Sequence, residues 1–257
     1  MSGIRQTQIG IDRLVRLGWL EKTAALVQAG NRVQDIRQIL QEELQGSFVS
    51  SSADVRGSLD KTITILIKVW LTVPADLKLL QISGLEMLNK TPRQEQLAIH
   101  WGMLMAVYPF WAAVAMQTGR LLKLQGAVVA SHVQRRVREQ YGERETVARR
   151  VRYVLRSFLD WGVLRETDEK GFYEAGSSKF IDEPQLIAWL IRASLHAKGS
   201  GVGSLKDLID SPSLFPFILE PLRAEVLVAA TTEIDVFRQG LDEELVMIKK
   251  SNSKSKG

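Results

Sequence analysis

The chain has 257 residues, 45% hydrophobic and 25% charged, which is ample apolar material for a core and suits two or three small units. It contains no cysteine, so disulfides, thiolate metal sites and thiol nucleophiles are excluded together. The net charge is only +5 but unevenly spread: residues 120–165 hold 11 basic and 4 acidic side chains, against 12 and 10 in residues 1–119 and 11 and 15 in residues 166–257.

In the first twenty residues Arg5, Asp12, Arg13 and Arg16 interrupt any apolar leader core, so a cytoplasmic location is expected. Ile11, Leu14, Val15, Leu17, Leu20, Ala24, Leu26 and Val27 predict a helix closing at Gly30. A second helix runs from Val33 to near Gly46. Ser50 to Ser52 offer N-caps to a third, with Val55, Leu59, Ile63, Leu66, Ile67 and Trp70 on one stripe. The β-branched run "TITILIKVWLTV" before Pro74 suits an extended piece. Three helices and an extended piece outline a first winged-helix unit. Its candidate DNA contacts are Ser51, Ser52, Arg56 and Lys61, with Asp60 among them as a counter-argument.

Leu97 to Gln117 carries no charge and has the length of a membrane span, since about 20 apolar residues cross a bilayer. Pro109 divides it, however, and Trp101, Tyr108, Phe110 and Trp111 are not gathered at its ends as an aromatic belt requires. A buried central helix pair is expected.

Val129, Val133, Val137 and Tyr141 recur every fourth residue and make one helix face, leaving His132, Arg135, Arg136 and Arg138 on the other. Gly142 provides a turn. In the next helix Val147, Val151, Val154, Leu155 and Phe158 point inward, and Arg149, Arg152, Tyr153 and Arg156 share the outward stripe. Then "WGVLRETDEKGFYEAG" predicts a hairpin, Val163 to Thr167 and Phe172 to Ala175, around a turn ending in Gly171. Helix, turn, helix, hairpin is the winged helix-turn-helix order. Like charges four apart on one helix repel, so an outside polyanion is the natural neutraliser of these arginines. The second helix would enter a DNA major groove with Arg144, Thr146, Arg149, Arg150 and Tyr153 nearest the duplex. The first would cross the backbone with Ser131, His132, Arg135 and Arg136, and Lys170 at the hairpin tip would reach an adjacent groove. Arg138 has Glu139 and Glu143 within reach, and Arg165 edges the hairpin, so both carry purely structural readings too.

Further on, Gln185 to Ala197 predicts an amphipathic helix, and "KGSGVGS" a linker, because its glycines match no nucleotide-loop spacing. Leu205 to Ile209 reads as a short helix, "SPSLFPF" as an irregular crossing, and "IDVFRQGLDEELVMIKK" as two strands around Gly240. The tail "SNSKSKG" has a disordered composition. His100, His132 and His196 are scattered, and no metal-ligand spacing, nucleophile elbow or P-loop occurs, so catalysis, metal and cofactor are not expected.

Three stretches, "HWGMLMAVYPFWAAVAMQTGRLL", "ARRVRYVLRSFLDWGVL" and "FRQGLDEELV", resemble the BrxA family, small accessory proteins of bacterial BREX phage-defence systems. The resemblance implies a mainly helical protein with winged-helix units that binds double-stranded DNA without evident sequence preference, beside other BREX components. The expected architecture is therefore mainly α: two winged helix-turn-helix-like units joined by central buried helices, with short β-hairpins as wings and a small C-terminal α/β segment. Its divisions are 1–92, 93–176, 177–248 and a tail at 249–257. A protein–protein adaptor built on winged helices and a sequence-specific repressor stay open as alternatives.

Overall fold

The computed structural model describes residues 2–48, 53–239 and 243–249, and over these the protein is mainly helical with three small sheets. Five helices come first: α1 (Ser2–Thr7), α2 (Leu17–Gln28), α3 (Val33–Leu44), α4 (Ala53–Trp70) and α5 (Lys78–Lys90). Among the described residues no strand precedes Ala127, so the extended piece and wing expected of a first winged-helix unit do not form. The run that suggested a strand lies in α4, where Ile63, Ile65, Leu66, Ile67 and Val69 are all buried. A helix enclosed on nearly all sides can take β-branched residues, because packing outweighs their mild local preference. The predicted first helix is also shorter than expected: Ile11 and Val15 are buried, but in an irregular segment before Leu17.

Helices α6 (Leu97–Val107) and α7 (Pro109–Gln125) are the expected central pair. Every residue of α6 is buried. The axes bend by 117° at Tyr108, and Pro109 occupies the first turn of α7, where a missing N–H costs nothing. No single described helix is long and apolar enough to cross a membrane.

After α7 closes on Gly126 in the left-handed conformation, the chain runs through β1 (Ala127–Val129), α8 (Ala130–Tyr141), α9 (Glu145–Asp160), β2 (Leu164–Glu166) and β3 (Phe172–Ala175). These strands form an antiparallel sheet ordered β1-β3-β2. The hairpin falls where the sequence indicates, but β1 was not anticipated: Val129 pairs with Phe172 rather than extending α8.

The same order then recurs. Past β4 (Lys179–Ile181), helix α10 (Pro184–Lys198) closes on left-handed Gly199 and leads to β5 (Val202–Ser204) and α11 (Leu205–Ile209). Beyond β6 (Phe217–Leu219) come α12 (Ala224–Ala230), β7 (Ile234–Gln239) and β8 (Glu243–Ile248), and the sheet is ordered β5-β8-β7. Helix, strand, helix, helix, strand, strand thus appears twice, with the first strand beside the last in both sheets. The glycine-rich stretch read as a linker is corrected: it contains β5, whose Val202 pairs with Met247. The irregular crossing contains β6, which lies parallel to β4 and extends the second copy between its two inner helices.

One hydrophobic cluster runs from Ile11 to Val246, so the segments share a core. Its centre is aromatic. Trp101 stacks on Phe158 with centroids 4.9 Å apart and meets Trp111 edge-on at 5.4 Å. Such pairs add about 0.5–1.5 kcal/mol each beyond their buried area. The indole N–H groups of Trp101, Trp161 and Trp189 donate to the carbonyls of Ser213, Val15 and Leu80 at 3.0, 2.9 and 3.1 Å, which fastens remote segments to the centre.

Close approach of backbone to backbone is tightest at Gly119 on α7, where an added Cβ would fall 2.0 Å from the carbonyl oxygen of Pro212. Gly119→Ala must therefore push the 212–215 segment off α7. A loss of about 3 kcal/mol is expected, near the top of the overpacking range, read as a melting temperature lower by roughly 10 °C. Gly57→Ala on the exposed side of α4, with nothing within 4 Å, is the matched control and should raise stability by about 0.5–1 kcal/mol.

Candidate nucleic-acid interface

Helix α9 owes its orientation to a sharp division of its two sides. Val147, Val151, Val154, Leu155 and Phe158 are buried at helical spacing, as expected, and Ala148 and Ser157 join them. The buried side is further tied down by the irregular N-terminal segment: Val15 N–H donates to Ser157 Oγ at 3.0 Å, and Leu17 N–H donates to Asp160 Oδ2 at 3.3 Å. Arg16 Nη1 approaches Asp160 at 3.4 Å. The outward side is thereby left to Arg149, Arg152 and Arg156, all exposed, with Thr146 exposed and Tyr153 half-buried beside them. Arg150 lies on the flank and is half-buried.

On α8, Val133 and Val137 are buried and Tyr141 packs edge-on against Phe110 at 5.0 Å. Ser131 and Arg135 are exposed, whereas His132 and Arg136 are half-buried. The helix begins at Ala130, so Val129, read as its first inward residue, belongs to the sheet instead.

Internal carboxylates could have absorbed these cations, and for some they do. Arg138 pairs with Glu143 at 2.5 Å, and Arg165 pairs across the hairpin with Glu174 at 2.8 Å. Arg152 reaches Glu145 at 3.4 Å, an exposed contact worth about 0–1 kcal/mol. Glu145 therefore sits inside the cationic stripe. Among the described residues no carboxylate lies within 4 Å of Arg135, Arg136, Arg144, Arg149, Arg150 or Arg156. Six arginines, two on α8, one at the N-cap of α9 and three on α9, thus lack a close counter-charge among the described residues.

The start of α9 adds to this. Arg144 stands at the N-cap with extended backbone; its carbonyl accepts the Val147 N–H at 2.9 Å, but its side chain makes no cap for the first turn. The positive end of the helix dipole opens on the same exposed corner as Arg144 and Thr146.

Lys170 is exposed in the hairpin turn, as expected, but exposed Asp168 and Glu169 adjoin it, so the tip is not a concentrated positive feature. Near the hairpin, burial and then Glu166 raise the pKa of the Tyr173 phenol, and Arg156 partly opposes them. Of the second candidate contact, Ser51 and Ser52 lie outside the described residues, as does the side chain of Arg56. Lys61 is exposed on α4, which packs against α2, α3 and α6 rather than against α8 or α9. Lys61 is thus not brought to the arginine face.

The repeated unit differs in chemistry. Its α12 exposes Glu225, Val226 and Val228 where α9 exposes arginines, and its Arg238 is drawn to Glu225 at 3.3 Å. Only the first copy presents a cationic helix.

Among the described residues no group of three or more His, Asp or Glu is placed to hold a metal ion. His100 is fully buried, and its Nδ1 accepts the Trp70 indole N–H at 3.2 Å. No protein-family model, no curated protein and no solved structure matches the chain.

Proposed function

We propose that the protein binds double-stranded DNA through the α8–α9 face, largely without sequence preference and without catalysis. The observation that carries the reading is the set of six arginines on α8, α9 and the N-cap of α9 with no close counter-ion among the described residues, beside a helix start without a side-chain cap. In this reading α7 to β3 is a winged helix-turn-helix: α8 crosses the backbone, α9 lies in the major groove and the β2–β3 hairpin is the wing. The second such unit is the C-terminal repeat from α10 to β8, not the N-terminal helices, and it lacks the charge to bind DNA in the same way. Guanidinium groups fork onto phosphate oxygens, which sets affinity and register without reading bases. With the resemblance to the BrxA family, the role proposed is that of a DNA-binding accessory protein in a bacterial phage-defence system, working in the cytoplasm beside other BREX components.

A mobility-shift titration against salt tests this. About six phosphate contacts give a log–log slope of affinity on salt near −5, and unrelated duplexes should compete within about tenfold of one another. A preference of roughly a thousandfold for one sequence would indicate a repressor instead, and no measurable duplex binding would indicate an adaptor for an acidic protein surface.

A further inference from the structure

Away from the arginine face, one guanidinium is placed quite differently. Arg192 on α10 is 5% exposed, in a groove between α5, α10 and the link from α12 to β7. Its Nη1 donates to Ser83 Oγ at 3.4 Å, its Nε has no acceptor, and among the described residues no carboxylate lies within 4 Å of it. Elsewhere the protein treats a nearly buried arginine otherwise: Arg5 is held by Asp76 through two hydrogen bonds of 3.0 and 2.8 Å. A buried cation without such a partner is costly, since removal from water is repaid only by a close counter-charge. Burial also pushes the Arg192 guanidinium below its ordinary pKa, with Glu233 partly opposing this.

The groove opens on both sides of Arg192, as clefts of about 430 Å³ and 340 Å³ that share Ser83, Glu86, Ala230 and Thr231. The larger is flanked on α5 by Leu79 and Ile82, which are 50% and 48% exposed. We infer that this groove is a binding site for a carboxylate borne on a short apolar chain, with Arg192 gripping the carboxylate and Leu79 and Ile82 covering the hydrocarbon. The planar donor edge of a guanidinium matches the two oxygens of a carboxylate. Glu86 and Glu233, which also line the larger cleft, repel anions and so disfavour a doubly charged phosphate more than a singly charged carboxylate. The carboxylate belongs either to a free aliphatic acid or to an acidic residue between apolar neighbours in a peptide.

Thermal melts and Arg-Nε NMR on the full chain test the inference. Hexanoate should raise the melting temperature and shift the Arg192 Nε resonance; hexanamide, of the same shape without charge, should do neither, and inorganic phosphate should bind at least tenfold more weakly. A capped tripeptide with glutamate between two leucines is the second arm, and the tighter of hexanoate and tripeptide names the source. Without ligand, Arg192→Met should melt at or above the wild-type temperature, because it removes an uncompensated charge, and should bind hexanoate at least tenfold more weakly. Arg192→Gln, which keeps donors but not charge, should lose hexanoate equally and serves if the methionine variant does not fold. Both variants should keep wild-type affinity for duplex DNA, which separates this site from the arginine face. Three results would overturn the inference: neither hexanoate nor the tripeptide moves Arg192, the variants bind hexanoate like wild type, or unliganded Arg192→Met melts well below wild type. The last would mean that Arg192 serves the fold through Glu233.

Discussion

Replacing Arg149 and Arg152 together by glutamate is expected to weaken duplex binding about 100-fold or more while the melting temperature moves by no more than about 2 °C. Both side chains are exposed on the stripe of α9 that turns away from the core, and only Arg152 has a carboxylate neighbour, Glu145 at 3.4 Å. Losing that exposed contact costs the fold less than about 1 kcal/mol. Against DNA the sum is different. Each charge-assisted bond to phosphate contributes about 1.5 kcal/mol or more, and two of them correspond to roughly 100-fold in affinity before the added repulsion is counted. Titration by fluorescence anisotropy at low salt, with circular dichroism melts alongside, measures both effects. Binding that survives the double change would place the interface elsewhere; a collapse of the melt would mean that these arginines hold the structure.

The second large effect is acid destabilisation centred on two histidines. Burial pushes His100 down to about 3 and His196 down to about 4. For His196 the nearby Asp76 opposes the burial effect and Arg5 and Arg192 reinforce it. Because Nδ1 of His100 accepts the Trp70 N–H, the ring is held neutral, and protonation would turn that acceptor into a second donor facing a donor. Both folded-state pKa values lie below the ordinary histidine value of about 6.5, so the unfolded chain takes up protons first as pH falls. Their contribution is complete above about pH 6.5 and is lost as pH drops towards 4 and 3. Each group adds about 1.4 kcal/mol per pH unit, hence roughly 2.7 kcal/mol per unit for the pair between about pH 6 and 4.5. His100→Gln keeps an acceptor for Trp70 and should remove about half of that slope. Urea unfolding at several pH values reads it, and a stability flat from pH 7 to 4.5 would contradict the assignment.

How legible these features were in the sequence depended on where their causes lie. The α9 face was legible because its division is local: apolar residues and arginines alternate at helical period within sixteen residues, and the structure keeps every inward assignment. The hairpin was legible for the same reason, since its strands are joined by one short turn. Strand β1 was not, because Val129 continues the fourfold spacing of Val133 and Val137 and is claimed for the sheet only by Phe172, far along the chain. The C-terminal repeat was hidden in another way. Its inner helices α11 and α12 are 5 and 7 residues long, and β6 interrupts them, so neither develops a period that a sequence pattern can show. In the N-terminal segment the helical stripe of Leu59, Ile63, Leu66, Ile67 and Trp70 was legible and is buried on α4, whereas the extended piece read from the overlapping β-branched run fails because Ile65 and Val69 are buried in the same helix. Arg192 gave no signal at all. On the sequence it is one charge in an amphipathic helix, and only the fold sets it beside Ser83 with no carboxylate opposite.

The most direct measurement is a resonance map of the arginine Nε–H and backbone amide groups as a short random-sequence duplex is added. Shifts concentrated on Arg135, Arg144, Arg149, Arg152 and Arg156 and on the first-turn amides of α9, fading as salt is raised, are the predicted result. Shifts confined to α10–α12, or a spectrum that the duplex leaves unchanged, would contradict it.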